Sequence, residues 1–174
     1  ARDILLMVDE VQTGNGRTGS LYAWQQYGFT PDIMSTAKGL GGGLPIGACL
    51  FGEKTENTLT PGTHGSTFGG SPAVCAGALS ILGRIDEALL AQVRAKSEYL
   101  FSAFEGKPGI EQVSGLGLMI GLKTAKPAAE VVAKCMEQGV LVLTAHGKVR
   151  LLPALNIPME LVKKAAEVII AACA

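Results

Sequence analysis

The sequence predicts an α/β protein: the tail of a large domain with a mainly parallel sheet, followed by a small α/β sandwich. Three observations carry this. The first half contains short continuous apolar runs such as Ile4-Leu5-Leu6-Met7-Val8, each closed by polar or glycine-rich segments, the pattern of strands buried on both faces. The second half alternates apolar segments of strand length with helical stretches, the pattern of helices laid on a sheet. The composition, 48% hydrophobic and 17% charged over 174 residues, is that of a chain able to bury a core.

In order along the chain, residues 4–8 predict a strand that ends at Asp9-Glu10. Residues 14–20 form a glycine-rich loop, and 21–27 a short helix stopped by Gly28 and Pro31. Residues 32–37 predict a second strand running into Lys38 and the flexible stretch 39–43, and residues 46–52 a third. A polar loop spans 53–70. Ser71 or Pro72 then opens a helical region reaching Glu105 and broken near Asp86, which sets the boundary between domains 1–86 and 87–174. Beyond Gly106, residues 110–113 and 116–122 predict strands, and 127–138 a helix ended by Gly139. Residues 140–143 and 149–152 predict two more strands, and 159–173 the last helix.

Lys+Arg 15 against Asp+Glu 15 gives zero formal charge, no basis for attracting nucleic acid or an anionic membrane. No apolar run approaches the length of a membrane span. Cys49, Cys75, Cys135 and Cys173 form no CxxC pair, so the expectation is four reduced, mostly buried thiols in a cytoplasmic protein. His64 and His146 have no ligand-spaced companions, so no metal is expected.

Two motifs mislead. Gly14-Asn15-Gly16-Arg17-Thr18-Gly19 fits G-x-G-x-x-G, yet Asp9 to Thr13 intervenes after the strand and puts two carboxylates where a pyrophosphate would approach. The run into Asp9-Glu10 resembles a Walker B strand, but the nearest phosphate-loop string, residues 47–55, has Glu53 before Lys54. A third constellation explains more. Asp9 closes one strand, and Lys38 closes a second 29 residues later, followed by glycines. Neighbouring strands would bring both to one crevice at the carboxyl end of the sheet. An amine for a Schiff base and an acid that keeps a ring nitrogen protonated are the pair that pyridoxal 5′-phosphate (PLP) chemistry requires. Spacing alone fits a surface lysine and a structural aspartate equally well.

The segments 9–14, 16–19, 31–33, 35–43 and 45–48, with His64-Gly65-Ser66-Thr67-Phe68-Gly69-Gly70, resemble the signature of the class III, fold-type I aminotransferases. The likeness runs the length of the chain, and the segments 141–145 and 149–153 point the same way. It implies part of a PLP-transferase large domain followed by the small C-terminal domain. Lys38 is then the Schiff-base lysine and Asp9 the partner of the pyridinium nitrogen. Asp9-Glu10-Val11-Gln12 line the cofactor, with Val11 against the ring and Gln12 near the 3-hydroxyl. Thr67 reaches the phosphate of a neighbouring subunit, and Ser66 lies beside the substrate. Arg150 clamps a substrate carboxylate, for which a planar fork suits better than a lysine.

Within the family the likeness is strongest to enzymes that pass the δ-amino group of N-acetylornithine to 2-oxoglutarate in arginine biosynthesis. Enzymes acting on ornithine, succinylornithine or 4-aminobutyrate are alternatives, and a non-catalytic remnant is another. The resemblance further implies a homodimer with a shared active site. Family members are about twice as long, so the expectation is a C-terminal half, inactive without the phosphate cup and second arginine of the other half.

Overall fold

A computed structural model describes residues 3–174. The chain divides into two compact units, residues 1–87 and 88–174.

The first unit is built on a three-stranded sheet of order β1-β2-β3, with β1 Met7–Asp9, β2 Ile33–Thr36 and β3 Ala48–Phe51. β1 and β2 are parallel, pairing Met7 with Ile33 and Asp9 with Ser35. β3 returns antiparallel, pairing Ser35 with Cys49. Asp32 fastens the entry to this sheet. Its Oδ2 accepts from Leu6 N at 2.8 Å and its Oδ1 lies 3.4 Å from Lys54 Nζ. These contacts, the Leu6 amide first, hold the Asp32 carboxyl below the ordinary aspartate range.

The apolar run before Asp9 departs from expectation. Only Met7–Asp9 is strand, and it is not buried on both faces: Met7 is 66% exposed, and Ile4, Leu5 and Leu6 are also exposed. The physical reason lies in the topology. β1 has a strand neighbour on one side only, and no described helix covers these residues. The helix expected over 21–27 is a five-residue 3₁₀ turn, Ala23–Tyr27, ended by Gly28 at φ 69°. The long helical region is split as the sequence suggests, into α1 Pro72–Leu82 and α2 Glu87–Phe104.

The second unit holds the main apolar core. Its sheet, order β4-β5-β7-β6, is antiparallel throughout, with β4 Ile110–Leu116, β5 Met119–Thr124, β6 Leu143–Ala145 and β7 Lys148–Leu151. α3, Ala128–Glu137, and α4, Met159–Cys173, pack against it. Leu122, Ile120 and Val149 meet Val131 and Cys135 from α3, Val162 and Ile169 from α4, and Val93, Leu100 and Phe104 from α2 in one buried cluster.

Two strand boundaries differ from the sequence reading. β4 runs through Ser114 and Gly115, and the hairpin turn falls at Gly117-Leu118. Gly115 pairs with Ile120 inside the strand, and its φ of 136° and the 2.0 Å from a built Cβ to Met119 O leave room only for glycine there. β6 starts at Leu143 rather than Val140. Its register is set by the His146-Gly147 turn, where both residues have positive φ (50° and 75°), as a two-residue type I′ hairpin requires.

Cys49 is exposed and Cys75 half-buried, so only Cys135 and Cys173 are buried, fewer than expected. Among the described residues, no helix is long and apolar enough to cross a membrane, and no three His, Cys, Asp or Glu side chains gather as metal ligands.

Candidate active site

Asp9 is the last residue of β1, and its register partner Ser35 lies three residues before Lys38. Because β1 and β2 are parallel, both strands deliver their carboxyl ends to the same side of the sheet, where open α/β sheets carry ligand sites. Asp9 and Lys38 are both exposed there. Asp9 Oδ1 accepts from Val11 N at 2.9 Å, which turns the chain off the strand and fixes the carboxylate against the loop that follows.

That loop is organised by Glu10, which is 2% exposed. Its Oε1 accepts from Trp24 N at 2.8 Å and its Oε2 from Thr13 Oγ1 at 2.5 Å. Its main chain adds two bonds, Glu10 N donating to Ser35 O and Glu10 O accepting from Gly14 N. Both carboxylate oxygens are thereby engaged inside the loop. The structure places Glu10 beneath the site as an anchor for Asp9, Val11 and Gln12, rather than facing a ligand beside them. Val11 and Gln12 are half-buried on the segment it holds.

Lys38 has φ 48°, a left-handed conformation uncommon for a residue with a side chain and costing about 1 kcal/mol or more. It opens the 3₁₀ turn Lys38–Gly41, whose Leu40 is buried. Leu40 N donates to Ala37 O at 3.0 Å. Such strain concentrates at functional positions and persists only where neighbours over-determine it. The string 47–55 contributes β3 and the turn after it, so it forms no phosphate loop. The G-x-G-x-x-G segment leads into a 3₁₀ turn and not into a phosphate-binding α-helix.

Ser66 and Thr67 lie in an exposed loop with Phe68, which is 89% exposed. The turn is tight: a Cβ on Gly69 would meet Ser66 Oγ at 2.8 Å. Arg150 belongs to the second unit. It is half-buried on β7, opposite Gly121 of β5 and Leu143 of β6. Its strand neighbours Val149 and Leu151 are buried, so by alternation Arg150 and Lys148 share the sheet's other face. Lys148 Nζ donates to Ser114 Oγ at 2.9 Å, and Ser114 Oγ donates to Gly121 O at 3.1 Å. The structure thus brings Asp9, Glu10, Val11, Gln12 and Lys38 together in one unit, while Ser66 and Thr67 sit on a separate loop and Arg150 on the other unit's sheet.

Sequence reasoning missed Asn15. Its side chain is buried and its Nδ2 donates to Thr36 Oγ1 at 3.1 Å and to Ala37 O at 3.2 Å. The only signal was its place between two glycines, where asparagine tolerates the left-handed backbone it adopts (φ 55°).

Comparisons with known proteins bear on the family and the fold. Residues 1–173 match the family described as aminotransferase class-III. An acetylornithine aminotransferase of Haemophilus ducreyi is 47% identical over 170 residues, covering 97% of this chain and 43% of the relative. One from Aquifex aeolicus is 43% identical, covering 97% and 44%. Among solved structures, an ornithine aminotransferase from Toxoplasma gondii superposes with a TM-score of 0.90 at 33% identity, over 98% of this chain and 43% of that one. An acetylornithine aminotransferase from Elizabethkingia anophelis gives 0.89 at 32%, over 98% and 45%. Another Toxoplasma gondii ornithine aminotransferase structure is described as having partial occupancy of PLP at its active site. The chain spans less than half the length of these relatives, and it belongs to the class-III aminotransferase family.

Proposed function

We propose that this chain supplies the lysine, the ring-nitrogen acid and the substrate arginine of a PLP-dependent aminotransferase that moves the δ-amino group of N-acetylornithine to 2-oxoglutarate, yielding N-acetylglutamate semialdehyde and glutamate. The observation that carries the reading is the placement of Asp9 and Lys38 at the carboxyl ends of two adjacent parallel strands. The residues fit the cofactor: an exposed amine and an exposed carboxylate share one edge of the sheet, next to a loop held rigid by Glu10.

When bound, PLP supplies an electron sink for the carbon that carries the amino group. Lys38 Nζ anchors the cofactor and serves as the base that takes and returns the proton at that carbon. Asp9 keeps the ring nitrogen protonated. Val11 would pack against the ring, and Gln12 would hold the edge that carries the 3-hydroxyl. Glu10 acts by holding these residues in place. Arg150 pairs with a substrate carboxylate, where a guanidinium fork gives two parallel hydrogen bonds. The exposed loop with Ser66, Thr67 and Phe68 is suited to a homodimer in which Thr67 meets the partner's cofactor phosphate and Ser66 the substrate. The names of the relatives support N-acetylornithine as amino donor; a role in arginine biosynthesis and a cytoplasmic setting belong to the same proposal.

The test is chemical. The protein is incubated with PLP and reduced with borohydride, and its peptides are mapped by mass. Lys38 should carry the adduct, and Lys38→Ala should carry none in that peptide. Labelling spread evenly over the exposed lysines would overturn the assignment. A panel of N-acetylornithine, ornithine, succinylornithine and 4-aminobutyrate, run on the longest protein containing this chain, decides the donor.

A further inference from the structure

Lys38 holds a strained backbone with an exposed side chain, so something other than its own packing must fix it. We infer that Asn15 is the positioning residue for Lys38: its buried amide clamps the end of β2 and so sets the left-handed turn from which the lysine projects. This rests on the reading of Lys38 as the cofactor lysine.

Asn15 is 5% exposed. Its Nδ2 donates to Ala37 O, the carbonyl immediately before Lys38, at 3.2 Å, and to Thr36 Oγ1, one residue earlier, at 3.1 Å. Thr36 is itself 2% exposed, so this junction is shielded from competing water. Ala37 O also accepts from Leu40 N at 3.0 Å. One carbonyl therefore takes two donors, one from the loop below and one from the turn it starts.

The orientation of the amide is fixed by chemistry. A carbonyl can only accept, so the NH₂ end of Asn15 must face Ala37 O. That leaves Asn15 Oδ1 buried without a hydrogen-bond partner. A buried orphan acceptor is destabilising, because it has given up its water without gaining a donor. It is tolerated here because the opposite orientation would set oxygen against the Ala37 carbonyl.

Packing completes the clamp. A Cβ on Gly39 would sit 3.2 Å from Asn15 Cβ, so the residue after Lys38 lies directly against the asparagine. Asn15 itself sits at φ 55°, and the clamp is thus reached from a loop whose other end is pinned by Glu10. The lysine is held from behind, through its own carbonyl neighbour, and its amine is left unobstructed.

Three variants of the full 174-residue chain separate this role from simple turn formation. Asn15→Gly keeps the left-handed backbone without strain and removes the amide. Asn15→Leu keeps the volume without a donor. Asn15→Asp keeps the shape and sets a carboxylate oxygen against Ala37 O. The first readout is amide hydrogen exchange at Leu40, which needs no cofactor. Loss of the two donations should speed Leu40 exchange by about tenfold in all three variants, which corresponds to about 1.4 kcal/mol. The β2 amides should hold. Unchanged Leu40 protection in Asn15→Gly overturns the inference. Equal loss of protection across β1, β2 and β3 also overturns it, since Asn15 would then be holding the whole sheet.

The second readout is the rate at which PLP and borohydride label Lys38, relative to the exposed Lys54 and Lys107 in the same sample. The ratio should fall about tenfold in Asn15→Gly, with Lys54 and Lys107 unchanged. Wild-type protein that labels Lys38 no faster than Lys54 refutes the cofactor reading, while the exchange measurement still decides the clamp.

Discussion

Replacing Glu10 tests whether the loop after β1 is held by hydrogen bonds rather than by packing. In Glu10→Ala, Trp24 N and Thr13 Oγ1 both lose the acceptor they donate to at 2.8 Å and 2.5 Å. Hydrogen bonds to a carboxylate contribute about 1.5–3 kcal/mol each. Thr13 and Trp24 are only half-buried, so water recovers part of this, and about 3 kcal/mol is the expected loss. Glu10→Gln keeps an oxygen for Trp24 N and turns its NH₂ toward the Thr13 hydroxyl, which can accept as well as donate. Its cost should be about 1 kcal/mol. The assay is built into the chain: Trp24 is the sole tryptophan, and its indole N–H contacts Met34 Sδ at 3.3 Å, so its emission reports this loop. With a urea m-value of about 1 kcal/mol/M for a unit this size, the midpoint should drop by about 3 M in Glu10→Ala and about 1 M in Glu10→Gln. Equal shifts for the two variants, or no shift in Glu10→Ala, would refute the reasoning, because packing alone would then hold the loop.

Burial, with Cys135 as a secondary cause, pushes the Cys173 thiol up to about 11, and burial raises Cys135 as well; at pH 8 only about one Cys173 in a thousand is thiolate. A thiol reagent followed by peptide mass spectrometry should therefore label exposed Cys49 first and Cys135 and Cys173 only on unfolding, and comparable early rates would disprove this. Lys96, 3% exposed, donates from Nζ to Leu155 O at 2.7 Å, and burial lowers its affinity for the proton. The unfolded chain binds that proton more tightly, so wild-type stability should rise relative to Lys96→Met as pH climbs through the folded value toward 10.5; paired urea melts showing a constant gap would contradict it. Leu122→Ala empties a fully buried position of the second unit and should cost about 3 kcal/mol there, with the Trp24 transition unchanged in its midpoint; a matching shift at Trp24 would show that the units unfold together.

The adjacency of Asp9 and Lys38 was legible because strand ends and glycine runs are local signals, and parallel pairing turns them into one edge. What was not legible follows from non-local pairing. Ile4 to Met7 reads as buried because the pattern reports what the residues favour, while burial depends on which strands and helices lie alongside. Ser114-Gly115 reads as a break between the strands 110–113 and 116–122, since both residue types are poor strand formers, but the register with β5 keeps them in β4 and places the reversal at Gly117-Leu118. Val140 to Val142 fits a strand by composition, yet the His146-Gly147 turn fixes where β6 can pair with β7. Asn15 looks like turn punctuation, and no spacing rule announces an amide that reaches 21 residues ahead to Thr36.

The two units keep their shapes by different means, and this bears on function. In the second unit a continuous apolar cluster runs from Val93 to Cys173. In the first, the buried hydrophobics are Met34, Leu40 and Ala78, while Glu10, Asn15, Thr18, Thr36 and Thr55 are buried polar residues. Apolar packing tolerates small displacements at modest cost, whereas hydrogen-bond networks hold a geometry closely and fail abruptly when one member is lost. On the proposed reading, Lys38 meets a cofactor carbon and needs placement within a fraction of an ångström. The buried polar residues around β1 and β2 are suited to that placement, at the expense of apolar stabilisation. Substitutions in that network should accordingly damage the site before they unfold the second unit, and substitutions in the second unit's core should do the reverse.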